Sequence, residues 1–219
     1  MVRFDDVRNN PEVSAYIAAA DRSLLALGFT EHSFAHVTRA AETASYILSS
    51  LGHSERVCEL ARIAGYLHDI GNLVNRVDHS QSGAVMAFRL LDKMGMAPEE
   101  IAEVVTAIGN HDEGTGVPVS PIAAALIIAD KTDVRRSRVR NADTLSHDIH
   151  DRVNYSVVRA ETALDTDKKT LTLDLEVDTS IGSVMDYFQI FLGRMNMCRG
   201  AAEALGLCFS LLVNKQKLL

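Results

Sequence analysis

Ile122 to Ala129 reads Ile-Ala-Ala-Ala-Leu-Ile-Ile-Ala, eight residues without a polar face, and it runs directly into Asp130 and Lys131. Ser120-Pro121 ahead of it is a helix opening, a hydroxyl in the capping position and a proline whose fixed φ suits the first turn. A helix that is apolar all round has no side to offer water, so it must sit in the middle of other elements. This feature restricts the chain to folds with a buried central helix. That helix ends in a carboxylate, and an unpaired buried charge is expensive. Something positive must therefore meet Asp130: a base from the adjacent cluster Lys131, Arg135, Arg136, Arg138, Arg140, or a metal ion.

The elements before it have helical periodicity. Residues 11 to 27 form a helix with Pro11 in the first turn and Gly28 as its stop. A second runs from about Ser33 to Leu51, with His36 on the same stripe as Ala40, Ala44 and Ile47. Ser54 caps a third, whose apolar side (Val57, Leu60, Ala61, Ala64, Leu67) delivers His68 and Asp69 at its C-terminal end, with Gly71 as the stop. After the polar connection from Asn72 to Asp78, a fourth begins near His79 and ends at Gly95. Pro98, Glu99 and Glu100 open a fifth, where His111 continues the face of Val104, Val105 and Ile108.

Beyond residue 150 the pattern changes. Val153 to Ala163 and Thr170 to Val177 alternate like strands around a turn at Asp165 to Lys169. A helix from about Ser183 to Leu205 and a strand from Cys208 to Val213 follow. The expectation is a mainly α chain: a helical bundle over 1–150, then a small C-terminal ββαβ unit over 151–219 with an antiparallel sheet.

The net charge of −7 speaks against nucleic-acid binding by overall charge, and aromatic content of 5% without tryptophan against stacking platforms. The N-terminal residues lack a signal-peptide pattern, and the longest apolar run is too short to cross a bilayer. Cys58, Cys198 and Cys208 have no paired spacing, so buried free thiols are expected. Together these describe a cytoplasmic chain with no membrane association.

Taken singly, His36, His79 and His111 read as hydrogen-bonded core histidines. Taken with His68-Asp69 and Asp130, across five consecutive helices, they read as a metal site. Imidazole and carboxylate without thiolate suit Fe, Mn, Zn, Ni or Co. Six ligands exceed what one open catalytic ion uses. Two divalent ions sharing one carboxylate fit better, with Asp69 as the bridge; such a pair could hold a bridging hydroxide and clamp a phosphoryl oxygen.

His36, then His68-Asp69, then Asp130 resembles the H…HD…D signature of the HD-domain metal-dependent phosphohydrolase superfamily over about residues 30 to 140. The resemblance implies that His36, His68, Asp69 and Asp130 bind a first metal. His79 and His111 look like the extra ligands of the binuclear branch, which includes cyclic dinucleotide phosphodiesterases and dinucleoside tetraphosphate hydrolases. The segment His111 to Pro118 lacks the Gly-Tyr-Pro tripeptide of the former, which removes the support for a cyclic dinucleotide substrate.

The implied activity is metal-dependent hydrolysis of a nucleotide or related small phosphate ester, with Asp69 and Lys131 as catalytic residues. Arg39, Lys131, Arg135 and Arg138 are the candidate phosphate-binding residues. The last three fall at i, i+4 and i+7 on one side of a helix leaving Asp130, and guanidinium groups suit bidentate phosphate contacts. His32 and Glu113 are candidates for the layer behind the ligands, Glu113 orienting a ligand histidine. His147-Asp148 and His150-Asp151 read as polar surface. The competing readings are a nucleotide-sensing or interaction module on the same scaffold, and a di-iron oxygenase. The free edges of the C-terminal sheet make it the candidate surface for a homo-oligomer.

Overall fold

The computed structural model describes residues 1–140 and 149–219. Seven helices precede the undescribed stretch: α1 (Phe4–Arg8), α2 (Pro11–Ala26), α3 (Phe34–Ser50), α4 (Glu55–Leu67), α5 (His79–Lys93), α6 (Pro98–Gly109) and α7 (Pro121–Lys131). Side-chain caps start several of them. Asn10 accepts from the amides of Glu12 and Val13, Ser54 from Val57 and Ser120 from Ala123. At the C-terminal ends of α2 and α5, Gly28 and Gly95 adopt the left-handed conformation that closes a helix at little steric cost.

Every residue from Ile122 to Ala129 is buried, and α7 packs against α3, α4, α6 and the C-terminal helix α9 (Val184–Ala204). The apolar octet is the centre of the molecule. Around it α3 and α4 approach so closely that a Cβ on Gly65 would lie 2.6 Å from the Ala41 Cα. Gly71 differs from the expected helix stop: α4 passes into a short 3-10 turn (Ile70–Leu73), and the glycine serves close approach. A Cβ there would meet the His79 carbonyl oxygen at 1.9 Å and the Gly83 amide at 2.5 Å, so the absent side chain lets the start of α5 seat on the turn carrying Asp69.

The chain resumes in α8 (Ile149–Ser156), followed by β1 (Val157–Asp165), β2 (Thr170–Val177), α9, β3 (Cys208–Val213) and β4 (Gln216–Lys217). The sheet order is β1-β2-β3-β4. Two expectations are corrected here. Val153 to Ser156 is helical: Val153 is buried and α8 packs on α9, so tertiary burial outweighs the local strand-like pattern. The sheet is mixed: β1 and β2 are antiparallel (Leu164 opposite Leu171), but α9 carries the chain back so that β3 runs parallel to β2 (Leu171 opposite Phe209). Asn214 and Lys215 at positive φ turn the chain into β4.

Leu171, Leu173, Leu175, Phe209, Leu211 and Val213 are buried and belong to the same core cluster as α7. Cys58 and Cys198 are buried as expected, but Cys208 is exposed because it opens β3 on the face turned away from the core. No helix among the described residues is long and apolar enough to cross a membrane.

Candidate metal centre

Each histidine is held by its Nδ1. His68 sits 2.7 Å from the Gly65 carbonyl, His111 2.6 Å from that of Ile108 and His79 3.1 Å from that of Arg76, each three residues earlier on the chain. His36 instead meets the Asp133 carboxylate at 2.8 Å. Backbone carbonyls and a carboxylate only accept, so the Nδ1 atoms carry the protons and the Nε2 lone pairs face inward. Those Nε2 atoms converge: His36 to His68 at 3.3 Å and His79 to His111 at 3.2 Å. The His79 and His111 lone pairs, with no proton between them at that distance, repel unless a cation stands among them, and the His36–His68 pair needs a proton or a metal ion in the same place.

Asp69 lies between the two pairs. Its Oδ2 is 3.2 Å from His68 Nε2 and 3.4 Å from His36 Nε2, and its Oδ1 is 3.5 Å from His79 Nε2. Asn72 donates to Oδ1 at 2.9 Å, whereas Oδ2 is buried without a hydrogen bond. Asp130, delivered by α7, places Oδ1 3.3 Å from His36 Nε2 and 3.7 Å from His68 Nε2. His36, His68 and Asp130 form one group able to hold an ion, and His68, Asp69 and His111 another. All four histidines are buried, as is Asp69, while Asp130 is partly open.

The two ends differ electrically. Burial opposes charge on His68, yet Asp69 and Asp130 hold its pKa up at about 10. His36 is likewise raised: burial opposes it, but Asp130, Asp133 and Asp69 prevail. At the other end burial, assisted by the positive His68 and Lys131, pushes His111 down to about 3. His79 is lowered by burial and by Arg76. Burial alone would raise Asp69 and Asp130, but the neighbouring imidazoles, and Lys131 in the case of Asp130, hold both well below the usual carboxylate range.

Residues 33–135 match the family model of the HD domain, and they carry His36, His68-Asp69 and Asp130 in this constellation. The chain belongs to the HD-domain superfamily. An uncharacterized protein of Methanocaldococcus jannaschii is 25% identical over 203 residues, which cover 82% of this chain and 77% of that one. The crystal structure of a predicted HD superfamily hydrolase from an uncultured Thermotogales bacterium shares 31% identity, covering 57% of this chain and 67% of that chain, with a TM-score of 0.46.

A cleft of about 350 Å³ opens onto Asp69, His79 and Asp130 of the HD domain, with His36, His68 and His111 behind them. Its basic side chains are Arg76, Lys131, Arg138 and Arg194, and Leu27, Phe29 and Phe191 give it an apolar wall. Lys131 is buried and places Nζ 2.7 Å from Asp130 Oδ2. His32 lines the cleft with its Nδ1 2.7 Å from the Thr30 carbonyl, and burial holds its pKa well below the ordinary value.

Several expected positions are revised. The helix carrying Asp130 ends at Lys131; Asp133 folds back to His36, and the chain leaves through a 3-10 turn (Arg136–Arg138), so Lys131, Arg135 and Arg138 share no helical face. Arg39 and Arg135 lie outside the cleft and both contact the Asp133 carboxylate, Arg39 at 3.3 Å. Arg138 does line the cleft, donating to the carbonyls of Glu31 at 3.0 Å and Asp133 at 2.8 Å. Among the described residues Glu113 touches no histidine; it pairs with Arg194 and lies 3.9 Å from Lys131, and the orienting contact expected of it is made to His36 by Asp133.

Sequence reasoning missed Arg76, Asp112 and Arg194. Arg76 sits in a polar connection with no periodicity to aim it, and Arg194 is far along the chain on α9. Asp112 could have been suspected from its place beside His111; its Oδ1 is 3.9 Å from His79 Nε2. His147-Asp148 lies outside the described residues, but Asp151 is buried in the cleft wall and is no surface residue.

Proposed function

We propose that the chain is a metal-dependent phosphohydrolase of the binuclear kind, holding a divalent ion at each end of the imidazole arc and acting on a small, nucleotide-like phosphate ester. The observation that carries this reading is the division of Asp69: one oxygen faces His36 and His68, the other faces His79, and the first is buried without a hydrogen bond. A cation at each end satisfies both oxygens and relieves the convergent Nε2 lone pairs. His36, His68, Asp69 and Asp130 would hold one ion and Asp69, His79 and His111 the other, a donor set that suits Fe, Mn, Zn, Ni or Co. Bound there, the ions supply Lewis acidity and lower the pKa of water into the neutral range.

The chain's own residues do the rest. Asp133 fixes the ring of His36, so that its Nε2 is presented as a neutral donor. Lys131 and Arg138 offer positive charge to the non-bridging oxygens of the phosphoryl group, Lys131 from its place beside Asp130. Arg39 and Arg135 act one layer back, by fixing Asp133. Leu27, Phe29 and Phe191 receive the organic part of the ester and limit water. We regard residues 151–219 as a subdomain whose α8 and α9 complete the cleft, through Asp151, Asn154, Phe191 and Arg194.

The test is metal analysis of the purified chain combined with a panel of phosphomonoesters and phosphodiesters. Two ions per chain are expected, with product release that stops on chelation and returns with added Mn²⁺ or Co²⁺. A fully loaded protein that turns over none of the esters, nucleotides included, overturns the reading in favour of a binding module.

A further inference from the structure

Arg76 lies in the connection between the 3-10 turn and α5, and its side chain reaches back into the metal centre. Its Nη1 is 3.2 Å from His79 Nε2, 3.5 Å from His79 Nδ1 and 3.3 Å from Asn72 Oδ1. The backbone carbonyl of the same residue takes the Nδ1 proton of His79 at 3.1 Å. The Nε2 of His79 is therefore an acceptor, and a guanidinium offers only donors. That Nε2 also faces His111 Nε2 at 3.2 Å and Asp69 Oδ1 at 3.5 Å, so it belongs to the outer end of the arc. Nη1 is nearly equidistant from the two ring nitrogens, so the guanidinium lies against the face of the imidazole, and a metal ion arriving at Nε2 meets its positive charge at close range.

We propose that Arg76 is a built-in electrostatic competitor of the second cation, its charge held against the His79 ring until it moves aside for an ion. The inference rests on the two-ion reading of the site and adds an order of filling to it. The inner end, around His36, His68 and Asp130, has no basic side chain on its Nε2 atoms among the described residues, and it has carboxylate oxygens on both imidazoles. It fills first. The outer end takes its ion tightly only when the guanidinium moves away from the His79 ring. Arg76 lines the cleft, and its Cζ is 5.8 Å from the Phe29 ring, within reach of a cation–π contact, so the displaced group has a place to go beside bound substrate. A resident cation at the outer end also keeps the buried carboxylates partly neutralised while one ion is bound.

The experiment is calorimetric titration of chelator-stripped full-length protein with Mn²⁺, with stoichiometry checked by metal analysis, for the parent, Arg76→Ala and Arg76→Gln. Circular dichroism confirms the fold, and the glutamine variant keeps the bulk of the side chain should alanine disturb the connection. The parent should bind two ions in distinct steps. In both variants the second step should tighten by about 10- to 100-fold, the effect of removing one positive charge beside His79, with the first step unchanged. Two-ion binding with an unaltered or weakened second step overturns the inference while leaving the two-ion reading intact. One ion per chain in parent and variants alike overturns both.

Discussion

The inner and outer ends of the imidazole arc are built from the same side chains but have opposite electrostatics. At the inner end His36 and His68 face Asp69, Asp130 and, behind His36, Asp133, and both imidazoles are raised above their ordinary pKa. At the outer end His79 and His111 face each other with Arg76 and Lys131 nearby, and both are lowered. On the two-ion reading, a metal ion would replace protons at the first end and contend with the charge of an arginine at the second. Ligand type alone therefore does not set affinity; the sign of the charge behind each ligand does. On the two-ion reading the inner end would be the tighter cation site and the outer end the weaker.

The sharpest way to break this contrast is to remove the residue common to both ends. Asp69→Ala should lower turnover by at least about 10³-fold and cut metal content at both ends, since it is the carboxylate that faces both imidazole pairs. Turnover near the parent level, measured on the best ester of the panel, would remove Asp69 from the mechanism. Asp133→Asn acts on one end alone. It keeps the shape but removes the charge behind His36, and the tighter binding step in a metal titration should weaken by about 10- to 100-fold with the other step unchanged. Equal weakening of both steps would mean that the ends are not independent.

Gly71→Ala probes the other side. Its Cβ would collide with the backbone of His79 and Gly83, which cannot yield as a flexible side chain would. A destabilisation of about 1–3 kcal/mol is expected in chemical denaturation, together with loss of the outer ion before the inner one. An undisturbed second binding step would show that the seam does not position His79.

The smallest effect is in the pH profile of the chelated protein. The folded state raises the pKa of His68 from 6.5 to about 10, so its contribution to stability is complete below pH 6.5 and is lost as pH climbs towards 10. His111 is lowered from 6.5 to about 3, so its contribution is present above pH 6.5 and is lost as pH falls towards 3. Thermal melts should therefore show a loss of Tm on both flanks. Metal loading should remove the alkaline flank and release protons, which titrations in buffers of different ionisation enthalpy detect. An alkaline flank that persists in the loaded protein would count against His68 as a ligand.

Much of this was legible in the chain. The octet Ile122 to Ala129 could only be central, Ser54 and Ser120 cap where hydroxyls should, and four histidines and two aspartates on helices or just past their ends meet at one place. Each of those signals is local, and period and capping chemistry carry it. The parts that were not legible depend on contacts between distant segments. Val153 looked like a strand residue until its burial against α9 made it helical. Arg135 and Arg39 looked like phosphate ligands until both met the carboxylate of Asp133.

The sequence by itself determined a helical bundle around one apolar helix, a carboxylate at that helix's end and a set of imidazoles to meet it. Only the tertiary structure decided which way each group points. It turned Asp133 onto His36, set Arg76 against His79 and brought Phe191 and Arg194 of α9 across to the cleft. The reason is physical: burial and periodicity are properties of neighbours along the chain, whereas the charge around a ligand is a sum over space.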